Sequence, residues 1–365
     1  MTAHAIVHQV NAWRILDQSG QLIKPARFTI IVDHHIRTRT GKRLRHLSDA
    51  LRGLMGQKEI GDLWHDLFFH AQVLHHARSG FKAKETSSAK MHNFAGVWVT
   101  PSRQHVYRVV PKCACSTIGQ ALYYSDAGQY FDGDIHDARE GVLKWNDPAA
   151  RSAIQEAMTQ GQAHRFTCVR NPYTRILSAF FDKICGIQRN GRRYRGNLVP
   201  LLMEQYGVEV GSETDINDFD QVKSFRRFLL FVRDTVQHRR PIEPDIHWAP
   251  MADHIGFTLS QGGRMDQIFR VEQFAAGLQS ALDARPRTHP LEVGAMPRFN
   301  ESAAHGPKQA HPTEAYFDDI SSYIMNDVYG RDFAFFGYDI TTPQLKAATA
   351  EIDLELLHSH FTPHG

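Results

Sequence analysis

The sequence predicts an α/β fold in which a central parallel sheet is flanked by helices, and three observations carry that expectation. Short runs rich in β-branched and aromatic residues recur at 106–110, 166–169 and 265–271, the length of strands rather than helices. Each leads into a segment with apolar residues at helical spacing, so strand and helix alternate. Chemistry-bearing residues gather where the first two strands end, the place where open α/β sheets take ligands. The expected organisation is a mostly helical N-terminal extension at 1–93, a main domain at 94–340 and a helical tail at 341–365.

A chain of 365 residues with 42% hydrophobic content can bury a full core, and one large domain with an addition fits better than two equal ones. Forty-two basic residues face 39 acidic ones; a net charge of +3 gives no ground for nucleic-acid binding and leaves open local basic patches for an anionic ligand. The 22 histidines make the surface charge responsive between about pH 5 and 7. Four cysteines, Cys113, Cys115, Cys168 and Cys185, imply no disulfide framework, since the first two are too close to bridge easily and Cys168 reads as a small core residue. A Cys-x-Cys pair without a second pair at zinc spacing predicts no metal site. No signal peptide opens the chain, and no apolar run approaches the ~20 residues of a membrane helix.

From the N-terminus, residues 5–16 and 44–54 look helical, and 28–32 looks like a short strand before the basic segment 37–45. Residues 60–78 set Leu63, Leu67, Val73 and Leu74 along an amphipathic helix with His65, His70, His75 and His76. A spacing of five keeps these histidines off one face, so they predict a solvated or interface face rather than a metal site. The N-terminal helices offer a surface for a homodimer. Residues 79–93 read as a linker, and 97–100 as an added strand.

At 105–120 the chain reads HVYRVVPKCACSTIGQ. Val106, Tyr107, Val109 and Val110 make a buried strand that Pro111 ends by removing a backbone donor. Ser116 and Thr117 suit a helix N-terminus, and Ile118, Ala121 and Leu122 recur on one face of a helix ending near Tyr124. Between strand and helix lie Lys112, Cys113, Ala114 and Cys115. A turn of small residues there lets backbone N–H groups converge on an anion, with the helix N-terminus adding partial charge and Lys112 a full one. This is phosphate-loop logic without the glycines of GxxxxGK[ST], since the lysine precedes the small residues. Taken alone, the stretch also fits an ordinary βα connection.

Residues 126–147 follow, with a tight turn at Asp132, Gly133 and Asp134 and then Ile135 and His136. His164 reads as packing at the entrance of the next strand. At 165–185 the chain reads RFTCVRNPYTRILSAFFDKIC. After strand 166–169, Asn171 and Pro172 open a helix, the proline placed where its missing N–H costs nothing. Ile176, Leu177, Phe180, Phe181 and Ile184 form its apolar stripe, with Arg175, Ser178 and Asp182 opposite. Arg170 at the strand end and Ser178 can together grip a phosphate, the guanidinium by a forked contact and the hydroxyl by a hydrogen bond. A structural ion pair and a serine facing water fit the same pattern.

Arg189, Arg192, Arg193 and Arg195 crowd residues 186–196, which read as a solvated loop or a lid for an anionic acceptor. Residues 219–236 predict a helix burying Phe225, Phe228, Leu229 and Val232, and DIHWAP follows at 245–250. Glu272 opens a helix at 273–282; 297–307 is a loop with Arg298, Asn300 and Ser302; 314–329 is a final amphipathic helix; and 333–338 packs back onto the domain.

The two long stretches together resemble the sulfotransferases that use 3′-phosphoadenosine 5′-phosphosulfate (PAPS). PKCACSTI is similar to the family's 5′-phosphosulfate loop and CVRNPYTRILSAFFDKI to its 3′-phosphate segment, in the family's order. DIHWAP, IFRVEQF at 268–274 and YGRDFAFFGY at 329–338 match as well, so the likeness spans roughly 105–338. It points to the carbohydrate branch with the chondroitin and dermatan 4-O-sulfotransferases, whose first motif reads PK-x-A/G-C. The resemblance implies a P-loop-like sulfotransferase fold and sulfuryl transfer from PAPS to a hydroxyl of a glycan or glycoconjugate, leaving PAP. It implies that Lys112, Cys113, Ala114, Cys115, Ser116 and Thr117 cradle the phosphosulfate, that Arg170 and Ser178 hold the 3′-phosphate, and that Arg298 touches the nucleotide from a closing loop. In-line transfer needs a base for the hydroxyl proton. His136, between the two motifs, is the first candidate; His247, in the block that borders the acceptor cleft in the family, is the second. Trp248 beside it either stacks on a sugar ring or packs. No metal is required, because lysine and loop amides carry the charge that magnesium carries in kinases. Animal members are generally anchored in the Golgi by a membrane helix, so this chain is expected to be bacterial and cytoplasmic. The alternatives are a P-loop-type kinase, disfavoured by the missing Walker lysine spacing, and a non-catalytic nucleotide- or glycan-binding module, expected to lose Lys112 or Arg170.

Overall fold

The computed structural model describes residues 96–138, 140–187, 197–212, 215–297, 299, 307–340 and 351–361. The readings made of residues 1–93, of the arginines at 189–195 and of Arg298, Asn300 and Ser302 lie outside the described residues.

Five strands, β1 (Val97–Val99), β2 (His105–Arg108), β3 (Leu143–Lys144), β4 (His164–Val169) and β5 (Gln267–Arg270), form one sheet in the order β3-β1-β2-β4-β5. The three strands expected from the sequence are its parallel part, with Tyr107 opposite Phe166 and Cys168 opposite Phe269. The expectation of a parallel sheet is corrected at one edge, where β1 and β3 pair antiparallel. The cause is local: Arg103 N–H donates to the Thr100 carbonyl at 2.8 Å and turns β1 straight back into β2, a connection too short for a parallel crossover. Tyr107, Phe166 and Phe269 stack across β2, β4 and β5 at centroid separations of 5.5 and 6.1 Å, filling the middle of the sheet.

The helices that follow strands are α1 (Cys115–Ala127), α2 (Arg151–Thr159), α3 (Pro172–Ala179) and, further on, α4 (Val199–Tyr206), α5 (Gln221–Val236), α6 (Met251–Ser260), α7 (Phe274–Asp283), α8 (Asp319–Phe336) and α9 (Leu354–Phe361). Helix α3 starts as its sequence predicts, with the Asn171 side chain accepting from Tyr173 N–H at 3.0 Å and Pro172 in the first turn, and it continues as a π-helical stretch, Phe180–Cys185. Its apolar stripe is buried. In α1, by contrast, Ser116 and Thr117 lie inside the first turn, and the cap is Ala114, which makes no side-chain bond. Gly119 lets α1 approach the sheet, because a Cβ there would stand 2.4 Å from Trp98 Cζ3. Helix α8 begins at Asp319, whose preceding residue Asp318 accepts from Ser321 N–H at 2.8 Å, and it runs through Gly330 instead of ending near 329. A glycine inside a helix costs only about 1 kcal/mol. Burial of Phe333 and Phe336 outweighs that, and Gly337, with φ 63°, supplies the stop. No helix among the described residues is long and apolar enough to cross a membrane.

Two buried histidines make stability depend on pH. His105 is 1% and His254 3% exposed, and their Nε2–H groups donate to the carbonyls of Leu282 at 2.9 Å and Ile246 at 3.0 Å. Burial pushes His105 down from 6.5 to about 4, and burial, with Arg108 and Arg175 nearby, pushes His254 well below its ordinary value. Both are depressed in the fold, so between the two values the unfolded chain holds more protons. The stabilisation from His105 is therefore complete above 6.5 and lost as the pH falls toward about 4, and that from His254 falls with pH in the same direction. His105 alone accounts for roughly 3 kcal/mol. The denaturant midpoint is expected to drop between about pH 7 and about pH 5, with a shallower slope in His105→Gln. A midpoint constant over that window would contradict the assignment.

Candidate active site

Residues 109–114 join β2 to α1 and take an unusual backbone path. Lys112 and Ala114 both adopt left-handed conformations, φ 67° and 59°, while Cys113 between them does not. Such alternation turns successive N–H groups to one side and forms a concavity for an anion. Each non-glycine residue held there costs about 1–2 kcal/mol, a strain that concentrates at functional sites. The first amides of α1 also have no partner within the helix and open onto the same loop. Cys113 is fully buried with its Sγ 3.7 Å from Met251 Sδ, so it contributes backbone only.

Lys112 Nζ donates to Asp182 Oδ2 at 2.7 Å, and Lys183 Nζ lies 3.0 Å from the same oxygen. Burial pushes the Asp182 carboxyl up, but Lys112 and Lys183 outweigh it and hold it below its ordinary value. Burial depresses Lys112 in spite of Asp182. The cluster sets two lysines against one carboxylate, with Lys112 on the loop and Asp182 and Lys183 on the π-helical stretch. Stretches of that kind recur at functional sites.

Arg170, at the end of β4, donates from Nη1 to the Lys112 carbonyl at 3.3 Å and from Nε to Thr174 Oγ1 at 3.0 Å. The two motifs therefore meet at the ends of adjacent parallel strands. Ser178 is half-buried, and its hydroxyl makes no hydrogen bond among the described residues, to Arg170 or to any other. Arg175 corrects the sequence expectation of a polar outer face: it is 1% exposed and donates to the carbonyls of Pro111 at 3.0 Å, Ala249 at 2.8 Å and Ile246 at 3.3 Å. One side chain thus ties the residue before Lys112 to the residue before His247.

His247 is buried, with Nδ1 2.5 Å from Asp245 Oδ1, an oxygen that also accepts from the His247 N–H at 2.9 Å. Burial and then Lys183 and Lys112 push this imidazole down, so it is neutral at neutral pH and stands beside the lysine cluster. With Nδ1–H given to Asp245, the lone pair is on Nε2. Trp248 is 1% exposed and sits edge-on to Phe228 and Phe231 at 5.5 and 6.1 Å. It packs in the core, the second of the two readings its sequence position allowed.

His136 lies on the 3₁₀ turn Ile135–Asp137, with Nε2 3.2 Å from Ser116 Oγ and 3.6 Å from Cys115 Sγ. Asp134 Oδ1 accepts from its N–H at 3.0 Å, and Lys144 Nζ donates to the carbonyls of Ile135, His136 and Ala138 at 2.7, 3.0 and 2.8 Å. The ring is held on Trp98 at 5.1 Å. Thr117 is half-buried in the first turn of α1.

Lys112, Arg170, His136 and His247 therefore all border the β2–α1 loop or its lysine cluster. Asp182, Lys183, Asp245 and Arg175 join them unannounced. The signals were present: Asp182–Lys183 interrupts the apolar run between Phe181 and Ile184, and Asp245 precedes His247 by two residues. Among the described residues no group of three His, Cys, Asp or Glu side chains is placed to hold a metal ion. The arrangement can bind a multiply charged anion on cations and loop amides, and it sets a neutral, carboxylate-oriented imidazole beside it. Residues 95–339, more than half of the chain, match the model of the sulfotransferase family. No curated protein and no solved structure matches the chain.

Proposed function

The chain belongs to the sulfotransferase family, and from that premise we propose that it transfers a sulfuryl group from PAPS to a hydroxyl of a carbohydrate or glycoconjugate, releasing PAP. The observation that carries the donor assignment is the meeting of Arg170 with the Lys112 backbone at a loop whose left-handed residues turn amides outward. A donor with a phosphosulfate at one end and a 3′-phosphate at the other fits two separate cationic positions joined in this way. PAPS supplies an activated sulfuryl group when bound. Lys112 and the amides of Cys113, Ala114, Cys115, Ser116 and Thr117 would hold the phosphosulfate end, and Lys112 would offset the charge that develops on the departing oxygen. Arg170 and Ser178 would hold the 3′-phosphate, with Arg298 as a further contact. The carbohydrate acceptor rests on the likeness of PKCACSTI to that branch of the family.

For the base, His136 is the first candidate and His247 the second. Asp245 fixes the tautomer of His247, but burial, Lys183 and Lys112 push that imidazole down, so its Nε2 holds an acceptor proton poorly. Burial pushes His136 down, but Cys115 and Asp134 raise it above its ordinary value overall, and its Nε2 faces the loop thiol and hydroxyl.

Calorimetric titration with adenosine 3′,5′-bisphosphate, beside ADP and magnesium ATP, tests the donor. Micromolar binding of the bisphosphate is expected, and Arg170→Ala should weaken it about 10- to 100-fold, the loss of one charge-assisted contact of about 1.5–3 kcal/mol. Binding of ATP with none of the bisphosphate would replace this reading with a kinase.

A further inference from the structure

We infer that Cys115 is a covalent modification site, a thiol that reacts selectively with electrophiles and hydroperoxides because His136 faces it, and that its modification closes the loop to the donor. The last clause rests on the function proposed above; the reactivity does not.

Selectivity follows from burial. Cys113, Cys168 and Cys185 are fully buried, whereas Cys115 is half-buried, and all four are free thiols. Position adds activation. Cys115 is the first residue of the 13-residue helix α1, where the helix dipole favours a thiolate, and Lys112 stands three residues before it. The Sγ–Nε2 contact of 3.6 Å to His136 pairs a thiol with an imidazole as nucleophilic cysteines require.

That histidine does not drift, because Asp134, Lys144 and Trp98 fix its turn independently of the thiol. The charged groups that face the pair are Lys112 from the loop, Asp134 from the turn and Lys144 from β3. Burial pushes the Cys115 thiol up, yet His136 and Lys112 bring it below its ordinary value overall. His136 moves up in turn. The two shifts act together, each favouring movement of the thiol proton toward the imidazole.

With a hydroperoxide, the thiolate sulfur attacks one peroxide oxygen as the O–O bond breaks. Sulfur is oxidised by two electrons to the sulfenic acid, the peroxide is reduced, and the departing oxyanion takes a proton from His136. With iodoacetamide, a C–S bond forms as the C–I bond breaks and iodide leaves. In either case a bulkier group fills the first turn of α1, where the loop amides converge.

Full-length protein is treated with iodoacetamide between about pH 5.5 and 9, and the labelled peptides are quantified by mass spectrometry. Cys115 should label at least about tenfold faster than the other three cysteines, with a rate midpoint below the ~8.5 of a free thiol. His136→Gln should move that midpoint up toward the free value, a shift that a merely structural role would not produce. Equal labelling of the four cysteines, or a wild-type midpoint at or above that of a free thiol, would overturn the proposal however the variant folds. The blocking clause is read on labelled protein by titration with adenosine 3′,5′-bisphosphate, which should lose at least tenfold in affinity against unlabelled protein. Unchanged affinity would overturn that clause. Absence of binding by the unlabelled protein would instead overturn the donor assignment while the labelling pattern still decides the reactivity.

Discussion

Lys112→Ala is expected to lower kcat by about 10²–10³-fold with little change in folding stability, the scale of removing one group that stabilises developing charge. The reason stability should hold is in the cluster itself. Asp182 loses its 2.7 Å partner but keeps Lys183 at 3.0 Å from the same oxygen, so no buried carboxylate is stranded. Alanine also meets the same left-handed constraint at φ 67° as lysine does, which leaves the backbone strain unchanged, whereas glycine would relieve it. Steady-state rates and a thermal melt on the same preparation separate the two effects. A kcat within twofold of wild type would remove Lys112 from the chemistry, and a collapse in melting temperature would make it a structural lysine.

Arg175→Met should act in the opposite way, through the fold. Methionine fills a similar volume but leaves the carbonyls of Pro111, Ile246 and Ala249 without their donor in a site only 1% exposed. Each such loss costs about 1–3 kcal/mol, so a destabilisation of about 3–5 kcal/mol is expected. At about 2–4 °C per kcal/mol for a domain of this size, the melt should fall by roughly 10 °C. Lysine should not rescue it, because a point charge cannot reach three diverging acceptors as a planar fork does. A melting temperature within about 2 °C of wild type would show that these carbonyls find other partners, and Arg175 would lose its place as the tie between the two loops.

These two side chains mark how far the sequence could be read. The parallel strands and the helices after them were legible because period and length are local properties: Phe225, Phe228, Leu229 and Val232 recur at helical spacing and are buried on α5. So was the Asn171–Pro172 helix start, where residue type dictates backbone behaviour. The same local logic misread Arg175, since spacing placed it with Ser178 and Asp182 on a polar face. It also misread the end of α8, since a glycine's small penalty says nothing of the phenylalanines packed beyond it.

By itself the sequence determined the strand–helix alternation, and it marked the turn at 109–114 and the segment after Arg170 as candidate sites, because each is written within a few consecutive residues. Only the tertiary structure decided that Asp182 and Lys183 share an oxygen beside Lys112, that Asp245 orients His247, that Cys115 faces His136, and that Trp248 is core. Lys112 and Asp182 are 70 residues apart and Cys115 and His136 are 21 apart, and the other placements depend on which side of a loop faces the sheet. Burial, moreover, turns the same residue type into opposite chemistry: at Arg175 a guanidinium saturated by carbonyls, at Arg170 one that borders the loop where the two motifs meet. Spacing along a chain carries periodicity, but it does not carry the dielectric or the long-range neighbours that set what a polar group does.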